Sequence, residues 1–345
     1  MNVESKLGTS GTAGTAPAGH EQTTATPVRS RWSRWVRRGF LLLLAISLLA
    51  NIYMWTAYRD YFAGTAGPNE RFHSGSRIAR DKLAVIPISG TISPPFTSRI
   101  LRSLEKAEED DAVKGVVLTI DSPGGLVTDS HQIYHRISRL REKKPVVVSM
   151  QSMACSGGYY VAMGAGESGK IFAEPTTWTG SIGVIIPRYD MTQLAQKLGV
   201  GFDPLKTGPF KDSLSPFREL APEERAVWDD IIDQSYQRFL KVIDENRASL
   251  NYEQVKALAT GRIFTADDAQ RNGLIDEIGY VEDAIEYLKQ RVNLKDARVV
   301  EYDHPQPLLG LLLGSMQAQD PQAQWRSLME LTVPKAMYYC SWGVF

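Results

Sequence analysis

The sequence predicts an α/β protein that is preceded by one transmembrane helix. Largely apolar runs such as VKGVVLTI (113–120) and PVVVSM (145–150) alternate with amphipathic segments along most of the 345-residue chain. Runs of this kind are typical of strands that are covered on both faces by helices. Near the N-terminus, one further stretch lacks charged residues for long enough to cross a bilayer.

The membrane segment is predicted at residues 39–58, which are uncharged and lie between Arg38 and Arg59. At about 1.5 Å of rise per residue, roughly 20 such residues cross the hydrocarbon core. Five arginines precede it: Arg29, Arg31, Arg34, Arg37 and Arg38. The positive-inside rule therefore predicts a cytoplasmic N-terminus and an extracytoplasmic main domain, with a single pass through the cell (inner) membrane. We favour a retained anchor over a cleaved signal peptide, whose apolar core is usually shorter, and over a buried core helix.

The rest of the chain divides by composition. Residues 1–38 contain few large apolar groups, so we expect a disordered cytoplasmic segment. We expect a juxtamembrane linker at 59–80, a globular domain at 81–304 and a separate apolar tail at 305–345. The run LLGLLLG in the tail is too short to cross a bilayer.

Within the globular domain, the pattern predicts alternating strands and helices. Strands are expected at 82–90, 113–120, 145–150, 170–175 (KIFAEP) and 180–186 (GSIGVII). Helical spacing is found at 98–110, 126–140 and 221–247, and GGYYVAMGA (157–165) begins a further helix. Thr265 followed by Asp268 predicts a helix N-cap, and Gly273 predicts the C-cap of the same helix.

Composition excludes several classes of protein. Lys+Arg and Asp+Glu both number 39, and this balance gives no electrostatic case for nucleic-acid binding. The two cysteines, Cys155 and Cys340, do not indicate a disulfide framework. The five histidines are scattered without zinc spacing, so we expect neither a metal nor an organic cofactor.

Ser156 is the first candidate for chemistry. It lies in QSMACSGGYY (151–160), where a strand-like run gives way to a helix, and a sharp turn there would expose its hydroxyl. Gly157 and Gly158 would let a carbonyl approach the backbone, and the N–H of Gly157 is a candidate oxyanion donor. On this segment alone, a serine N-cap followed by packing glycines explains the pattern at least as well.

The turn DSPGG (121–125) follows another strand-like run and repeats this arrangement. Such a turn faces free backbone N–H groups outward, so Gly125, helped by Gly124, is the candidate second donor. An ordinary tight turn would use the same residues.

A serine nucleophile needs a base, and histidine is the commonest choice. The candidates are His131 and His135, with Asp129 nearby, and His304; no histidine occurs in the hundred residues after Ser156. Solvated surface histidines are the more common explanation for a pair spaced four residues apart.

Lys211 is the better candidate base. It lies in LKTGPFKDSLSPFREL (205–220), where Phe210 and Phe217 could exclude water from it. Desolvation disfavours a charged amine and so lowers the pKa of a lysine. Ser181 is the candidate that orients this amine, and a solvated loop lysine is the alternative interpretation of the segment.

Five segments together resemble the signal peptide peptidase A family in its short, single-unit form. They are IDSPGG, CSGGYYVA, TGSIGV, TGPFKDSLSPFREL and GRIFTADDAQRNGLIDEIG, and they occur in the family's order over about residues 80–300. The resemblance implies a ClpP/crotonase-type β-α superhelix and a membrane-anchored serine endopeptidase with a Ser–Lys dyad. It also implies a homo-oligomer that acts on peptide or unfolded polypeptide substrates.

Carried onto this chain, the resemblance implies Ser156 as the nucleophile, Lys211 as the general base and Ser181 as the serine that orients the lysine. It implies Gly125 and Gly157 as the oxyanion donors. Signal-peptide remnants and other unfolded or apolar polypeptides would be hydrolysed through an acyl-enzyme.

The chain departs from the family pattern at three places. Cys155 stands before the nucleophile, where alanine is common in the family. Residues 164–169 are a few residues longer than usual. The tail after 305 lies outside the resemblance, and its role stays open between a substrate-mimicking end, an oligomer contact and a membrane contact.

Two rival functions share the predicted fold. A crotonase-type acyl-CoA enzyme would use the same oxyanion glycines, but the export signal argues against it because acyl-CoA chemistry is intracellular. A catalytically inactive membrane scaffold would not need the set of Ser156, Ser181 and Lys211.

Overall fold

The structure, a computed structural model, describes residues 31–63, 67–304 and 336–340. Residues 1–30 of the expected cytoplasmic segment lie outside the described residues. Most of the expected apolar tail, at 305–335 and 341–345, also lies outside them.

The predicted membrane segment lies within helix α1 (Arg31–Ala63). Residues Trp35–Trp55 have a mean hydropathy of 1.6 and are, among the described residues, the one helical stretch long and apolar enough to cross a membrane. The helix also includes residues 31–38, which were expected to be disordered. The arginines that occupy much of this stretch are good helix formers, so the helix begins before the apolar segment.

Eleven strands are present in the described residues: β1 Asn69–Gly75, β2 Lys82–Ser89, β3 Val113–Ser122, β4 Gly124–Leu126, β5 Val146–Cys155, β6 Ile171–Ala173, β7 Trp178–Gly180, β8 Ile263–Thr265, β9 Glu277–Ile278, β10 Arg298–Asp303 and β11 Met337–Tyr339. The main sheet has the order β1-β10-β2-β3-β5-β6-β9, and β7 joins β5 to β8. Strands β10, β2, β3, β5, β6 and β9 are parallel neighbours, whereas β1 runs antiparallel to β10. Strands β4 and β11 form a separate antiparallel pair.

Within the described ranges, eight α-helices follow α1: α2 Phe96–Glu109, α3 Val127–Arg141, α4 Gly157–Ala162, α5 Thr192–Lys197, α6 Pro222–Asp244, α7 Tyr252–Leu258, α8 Ala266–Arg271 and α9 Val281–Arg291. They alternate with the strands, which confirms the α/β prediction. The predicted caps of α8 are also confirmed, because the N–H of Asp268 donates to Thr265 Oγ1 at 3.3 Å and Gly273 adopts φ +73°.

The central strands are buried on both faces. Along β2, Ala84, Ile86 and Ile88 belong to a core that includes side chains of α2, α3, α6 and α8. The alternate residues Leu83 and Val85 belong to a second core, which α9 covers. This double burial explains why the strands appear in the sequence as apolar runs rather than as alternating patterns.

Two further segments differ from the prediction. Asn69–Gly75, placed in the expected linker 59–80, form β1, which pairs with β10 over most of its length. The polar composition of β1 hid it, since an edge strand can be held by backbone hydrogen bonds without an apolar face. The expected strand 180–186 is also wrong, because the strand ends at Gly180, where φ of +85° turns the chain.

Candidate active site

Ser156 occupies a sharp turn between β5 and α4. Its backbone adopts φ +54° and ψ −113°, a region that non-glycine residues rarely enter and that costs conformational energy. The side chain is buried, with 1% exposure, and Oγ has no hydrogen-bond partner among the described residues. A buried hydroxyl without a partner on a strained turn is typical of a functional site.

Ser181 lies beside this turn. The N–H of Ser156 donates to the carbonyl of Gly180 at 2.7 Å, which places the residue before Ser181 against the nucleophile candidate. The N–H of Ser181 in turn donates to the carbonyl of Arg262 at 2.7 Å, and its φ is +49°. The fold therefore brings the two predicted serines into one buried corner.

Gly125 and Gly157 also meet at this corner. A Cβ added at Gly157 would lie 2.6 Å from Ser130 Oγ and 3.0 Å from the backbone nitrogen of Gly125. The position therefore has no room for a side chain. Gly157 is the first residue of α4, where an N–H has no acceptor within the helix, so this donor stays available to a ligand.

Gly124 does not fit the donor role predicted for it. Its N–H donates to Ser122 Oγ at 3.1 Å, and that hydroxyl donates onward to the carbonyl of Gly90 at 2.6 Å. Gly124 contributes conformation instead, because its φ of +103° forms the turn that leads to Gly125.

Lys211 lies on an exposed 3-10 turn, Pro209–Asp212. Among the described residues, its Nζ makes no hydrogen bond and no ion pair, and nothing joins it to the buried Ser156. Phe210 and Phe217, expected to shield the amine, are 49% and 40% exposed. The described chain therefore does not supply the expected apolar pocket, because the loop extends away from the core.

The turn that carries Lys211 is nevertheless anchored. Arg218 bonds to both Asp212, at 2.7 Å, and Glu224, at 2.5 Å. These hydrogen bonds lower the pKa of Asp212 and lower that of Glu224 to about 2. Ser213 is buried and accepts from Trp228 Nε1 at 3.0 Å. The candidate base thus projects from a fixed backbone.

The alternative histidine bases have other partners. His131 Nδ1 lies 2.8 Å from the hydroxyl of Tyr160, and burial lowers the pKa of its imidazole. His304 lies 2.9 Å from Ser103 Oγ, and His135 is exposed. No hydrogen bond in the described part of the chain joins any of these rings to the nucleophile candidate.

A segment from the C-terminal end, Ala336–Cys340, pairs with β4 directly beside these residues. The N–H of Val127 donates to the carbonyl of Ala336 at 3.2 Å, and the N–H of Cys340 donates to the carbonyl of Pro123 at 2.9 Å. Hydrogen-bonded pairs alternate along an antiparallel ladder. The pair between them, Gly125 and Tyr338, is therefore hydrogen-bonded as well, so the carbonyl of Tyr338 faces the N–H of Gly125.

The same segment is held on its other edge. Ile185 and Met337 exchange two backbone hydrogen bonds of 3.0 Å each. Ala336–Cys340 therefore lies as an added strand between β4 and Ile185. An extended peptide recognised by strand addition would be held by the same kind of contacts.

The side chain of Tyr338 fills an aromatic pocket and is fully buried. Its ring stacks on Tyr160 at 4.9 Å between centroids and contacts Phe239 at 4.7 Å. Its hydroxyl donates to the carbonyl of Ser235 at 2.8 Å. The pocket thus accepts a large ring and satisfies a polar group at its far end.

Sequence reasoning missed two features of this site. Ser130 Oγ is buried without a hydrogen-bond partner and lies next to Gly157. Its signal was a polar residue on the same helical stripe as Ile133 and Ile137. The pocket around Tyr338 had no local signal, because its parts come from distant positions in the chain. Among the described residues, no group of three or more His, Cys, Asp or Glu side chains is placed to hold a metal ion.

A strained, buried serine beside converging backbone N–H groups on an α/β sheet defines a serine-type hydrolase site. Comparison with known proteins identifies its class. Residues 138–295 match the sequence model of Peptidase family S49, and residues 72–179 match that of Clp protease.

Individual relatives agree with the family matches. "Putative protease slr0021" of Synechocystis is 40% identical over 68% of this chain and 84% of that protein. "Putative signal peptide peptidase SppA" of Enterococcus faecium is 36% identical over 68% of this chain and 74% of that protein. "Protease 4" of Haemophilus influenzae is 34% identical over 64% of this chain and 36% of its own length. The chain belongs to peptidase family S49, the signal peptide peptidase A family, and is a serine-type peptidase with a ClpP-like α/β fold.

Proposed function

We propose that this peptidase is a membrane-anchored endopeptidase in which Ser156 and Lys211 form a catalytic dyad. The observation that carries the proposal is the buried, unpartnered hydroxyl of Ser156 beside the backbone N–H groups of Gly125 and Gly157. Ser156 Oγ attacks the peptide carbonyl while neutral Lys211 takes its proton. The two N–H groups hold the oxyanion. Lys211 then protonates the leaving amine, and water hydrolyses the acyl-enzyme.

The nucleophile is tested with a fluorophosphonate probe and a fluorogenic peptide. Ser156→Ala should lose labelling and hydrolysis, whereas Ser168→Ala, on an exposed turn, should keep both. Equal hydrolysis by Ser156→Ala and wild type would contradict the assignment.

The position of Lys211 supports a site completed by a second copy of the chain. Helix α5 and the chain from its end to Phe217 leave several large apolar side chains exposed: Leu194, Leu198, Val200, Phe202, Leu205, Phe210 and Phe217. Exposed apolar side chains in such number favour a protein interface. We infer that assembly into a homo-oligomer covers this loop and brings Lys211 of one copy to Ser156 of its neighbour, with Ser181 orienting the amine.

Mixing two inactive variants tests this inference. Ser156→Ala and Lys211→Ala should each be inactive alone and should regain part of the activity when they are co-assembled. Lys197→Ala, an exposed lysine nearby, is the matched control and should stay active. If Lys211→Ala alone is inactive and the mixture is inactive as well, the lysine acts within its own chain and the inference is contradicted.

The placement of Ala336–Cys340 supports extended, apolar polypeptides as substrates, including signal-peptide remnants. A substrate strand in the same position would put one large side chain against Tyr160 and Phe239. Peptides with Tyr, Phe or Leu before the scissile bond should be cleaved faster than the same peptides with Asp there. The reverse order of rates would contradict this substrate class.

Helix α1 supports membrane anchoring with the peptidase domain outside the cytoplasm. Full-length protein should resist extraction by alkaline carbonate, and a chain that begins after residue 63 should be released. Protease added to spheroplasts should degrade the domain, because the proposed orientation places it outside the cytoplasm. A domain that is protected from the protease would show the opposite orientation.

A further inference from the structure

We propose that Cys155 and Cys340 form a redox-controlled disulfide that locks the segment Ala336–Cys340 across the catalytic site. These are the two cysteines of the chain, separated by 184 intervening residues, and the fold brings them to one place. The proposal rests on the proposed function, because the disulfide can inhibit the protein only if Ser156 hydrolyses peptides.

The backbone geometry fixes both cysteines around the turn at Gly124. Cys340 donates its N–H to the carbonyl of Pro123 at 2.9 Å. A Cβ at Gly124 would lie 2.1 Å from the carbonyl oxygen of Tyr338 and 3.1 Å from that of Cys155. The strand that ends at Cys155 and the strand that precedes Cys340 therefore flank the same glycine.

The side chains of both cysteines are buried at this turn, and Cys155 Sγ lies 3.5 Å from the carbonyl of Trp178. Neither thiol is in a disulfide in this structure. Because backbone hydrogen bonds already hold the strands that carry them, forming the bond requires the two side chains to move rather than the strands.

Burial, and beside it the neighbouring Cys340, raises the pKa of the Cys155 thiol. Cys155 is therefore a poor nucleophile while the segment is seated, because the thiolate is the reactive form. This explains how a cysteine can stand directly before the catalytic serine without competing with it.

The chemistry requires a disulfide oxidant, RSSR, such as oxidised glutathione. When the segment leaves the cleft, the Cys340 thiolate attacks RSSR, which forms Cys340–S–S–R and releases RSH after protonation. As the segment returns, and before it covers Cys155, the Cys155 thiolate attacks the mixed disulfide at the Cys340 sulfur. The Cys155–Cys340 bond forms and a second RSH leaves. A dithiol reductant reverses both steps.

The Cys155–Cys340 bond would favour the segment Ala336–Cys340 over a peptide substrate in the competition for the cleft. A segment that belongs to the same chain already competes with substrate at a high effective concentration. A covalent bond beside the site holds Tyr338 in its pocket and its carbonyl against Gly125, where the substrate must bind. Oxidation should therefore lower peptide hydrolysis by about tenfold or more, and reduction should restore it.

The experiment uses full-length protein in detergent, treated with oxidised glutathione and then with dithiothreitol. Trypsin digestion without reductant should yield one joined species from residues 144–170 and 336–345. The same digest of Ser156→Ala reports the crosslink without any dependence on activity and without any cleavage of the segment. Hydrolysis of a fluorogenic peptide is measured in parallel.

Cys340→Ser is the matched variant, because it keeps the shape of the side chain and removes only the bond. It should lose the joined species and the inhibition by oxidised glutathione, and it should match reduced wild type in activity. The proposal is overturned if oxidised Ser156→Ala yields no joined species, if the species occurs only in disulfide-linked dimers, or if Cys340→Ser is inhibited equally. If the joined species forms but reduced wild type hydrolyses no peptide, the proposed function fails while the disulfide stands.

Discussion

Replacing Gly157 by alanine should displace the backbone N–H that we propose as an oxyanion donor. The added Cβ would lie 2.6 Å from Ser130 Oγ, about 0.8 Å inside the 3.4 Å at which ordinary contact begins. The hydroxyl of Ser130 can rotate away from it. The second close atom, the nitrogen of Gly125 at 3.0 Å, belongs to the backbone and is fixed by its neighbours. The contact therefore forces the two N–H groups apart.

The expected loss follows from the role of these donors. Removing one oxyanion donor costs about 10²–10³ in kcat, or about 2.7–4 kcal/mol of transition-state stabilisation. The added methyl group should also destabilise the fold by about 1–3 kcal/mol, as overpacking usually does. We expect kcat to fall with little change in KM, because the oxyanion forms only in the transition state.

The assay combines hydrolysis of a fluorogenic peptide with thermal unfolding. Gly183→Ala is the matched control, since the nearest atom to its Cβ, the Cα of Gly261, lies at 3.8 Å. Adding Ser130→Ala to Gly157→Ala should recover stability but not activity, because the contact with Gly125 persists. A folded Gly157→Ala enzyme with kcat near that of wild type would refute the assignment of this donor.

Further predictions concern stability and the C-terminal segment. Arg247→Ala should destabilise the domain by about 3 kcal/mol in urea, since it leaves Asp276 without the cation that it bonds at 2.9 Å. Bonding to Arg218 lowers the pKa of Asp212. The Asp212 carboxylate therefore stabilises the fold fully above its ordinary pKa of about 4, and this stabilisation is lost as pH falls through the lower pKa of the folded state. The Tm of Asp212→Asn should therefore fall less on acidification below about pH 4 than that of wild type. Tyr338→Ala should let carboxypeptidase digest through Ala336–Cys340 faster than in wild type; an equal rate would show that the aromatic pocket does not hold the segment.

The sequence patterns predicted the parts of the fold that bury apolar side chains. Strands β2, β3 and β5 and helices α2 and α3 follow directly from apolar runs and helical spacing. Strand β1 could not be predicted in this way, because its side chains are mostly polar. One of them, Arg71, forms an ion pair of 2.8 Å with Glu301 of the neighbouring strand β10. What places such an edge strand is its partner, which lies more than two hundred residues further along the chain.

The candidate site also contains residues that the local sequence indicates and residues whose surroundings depend on distant parts of the chain. Ser156, Gly125 and Gly157 lie in turns whose conformation is encoded locally by small residues, so the local pattern marked them as candidates, although a helix cap and an ordinary tight turn explained it equally well. Ser181 is predicted as a companion of the lysine, and the structure places it beside the turn that carries Ser156. The neighbourhood of Lys211 could not be predicted, because it depends on what covers an exposed loop.

The strain at Ser156, the proposed nucleophile, also explains why the two halves of the proposed site differ in burial. A residue held at φ +54°, as Ser156 is, persists only where the surrounding structure determines its backbone from several sides. Its N–H is fixed by Gly180, and the turn at Gly124 is fixed by Ser122. A general base needs only proximity and orientation at the moment of proton transfer, so it can come from an exposed turn. The buried half is therefore built by folding, whereas the exposed half, in the function proposed above, is completed by assembly.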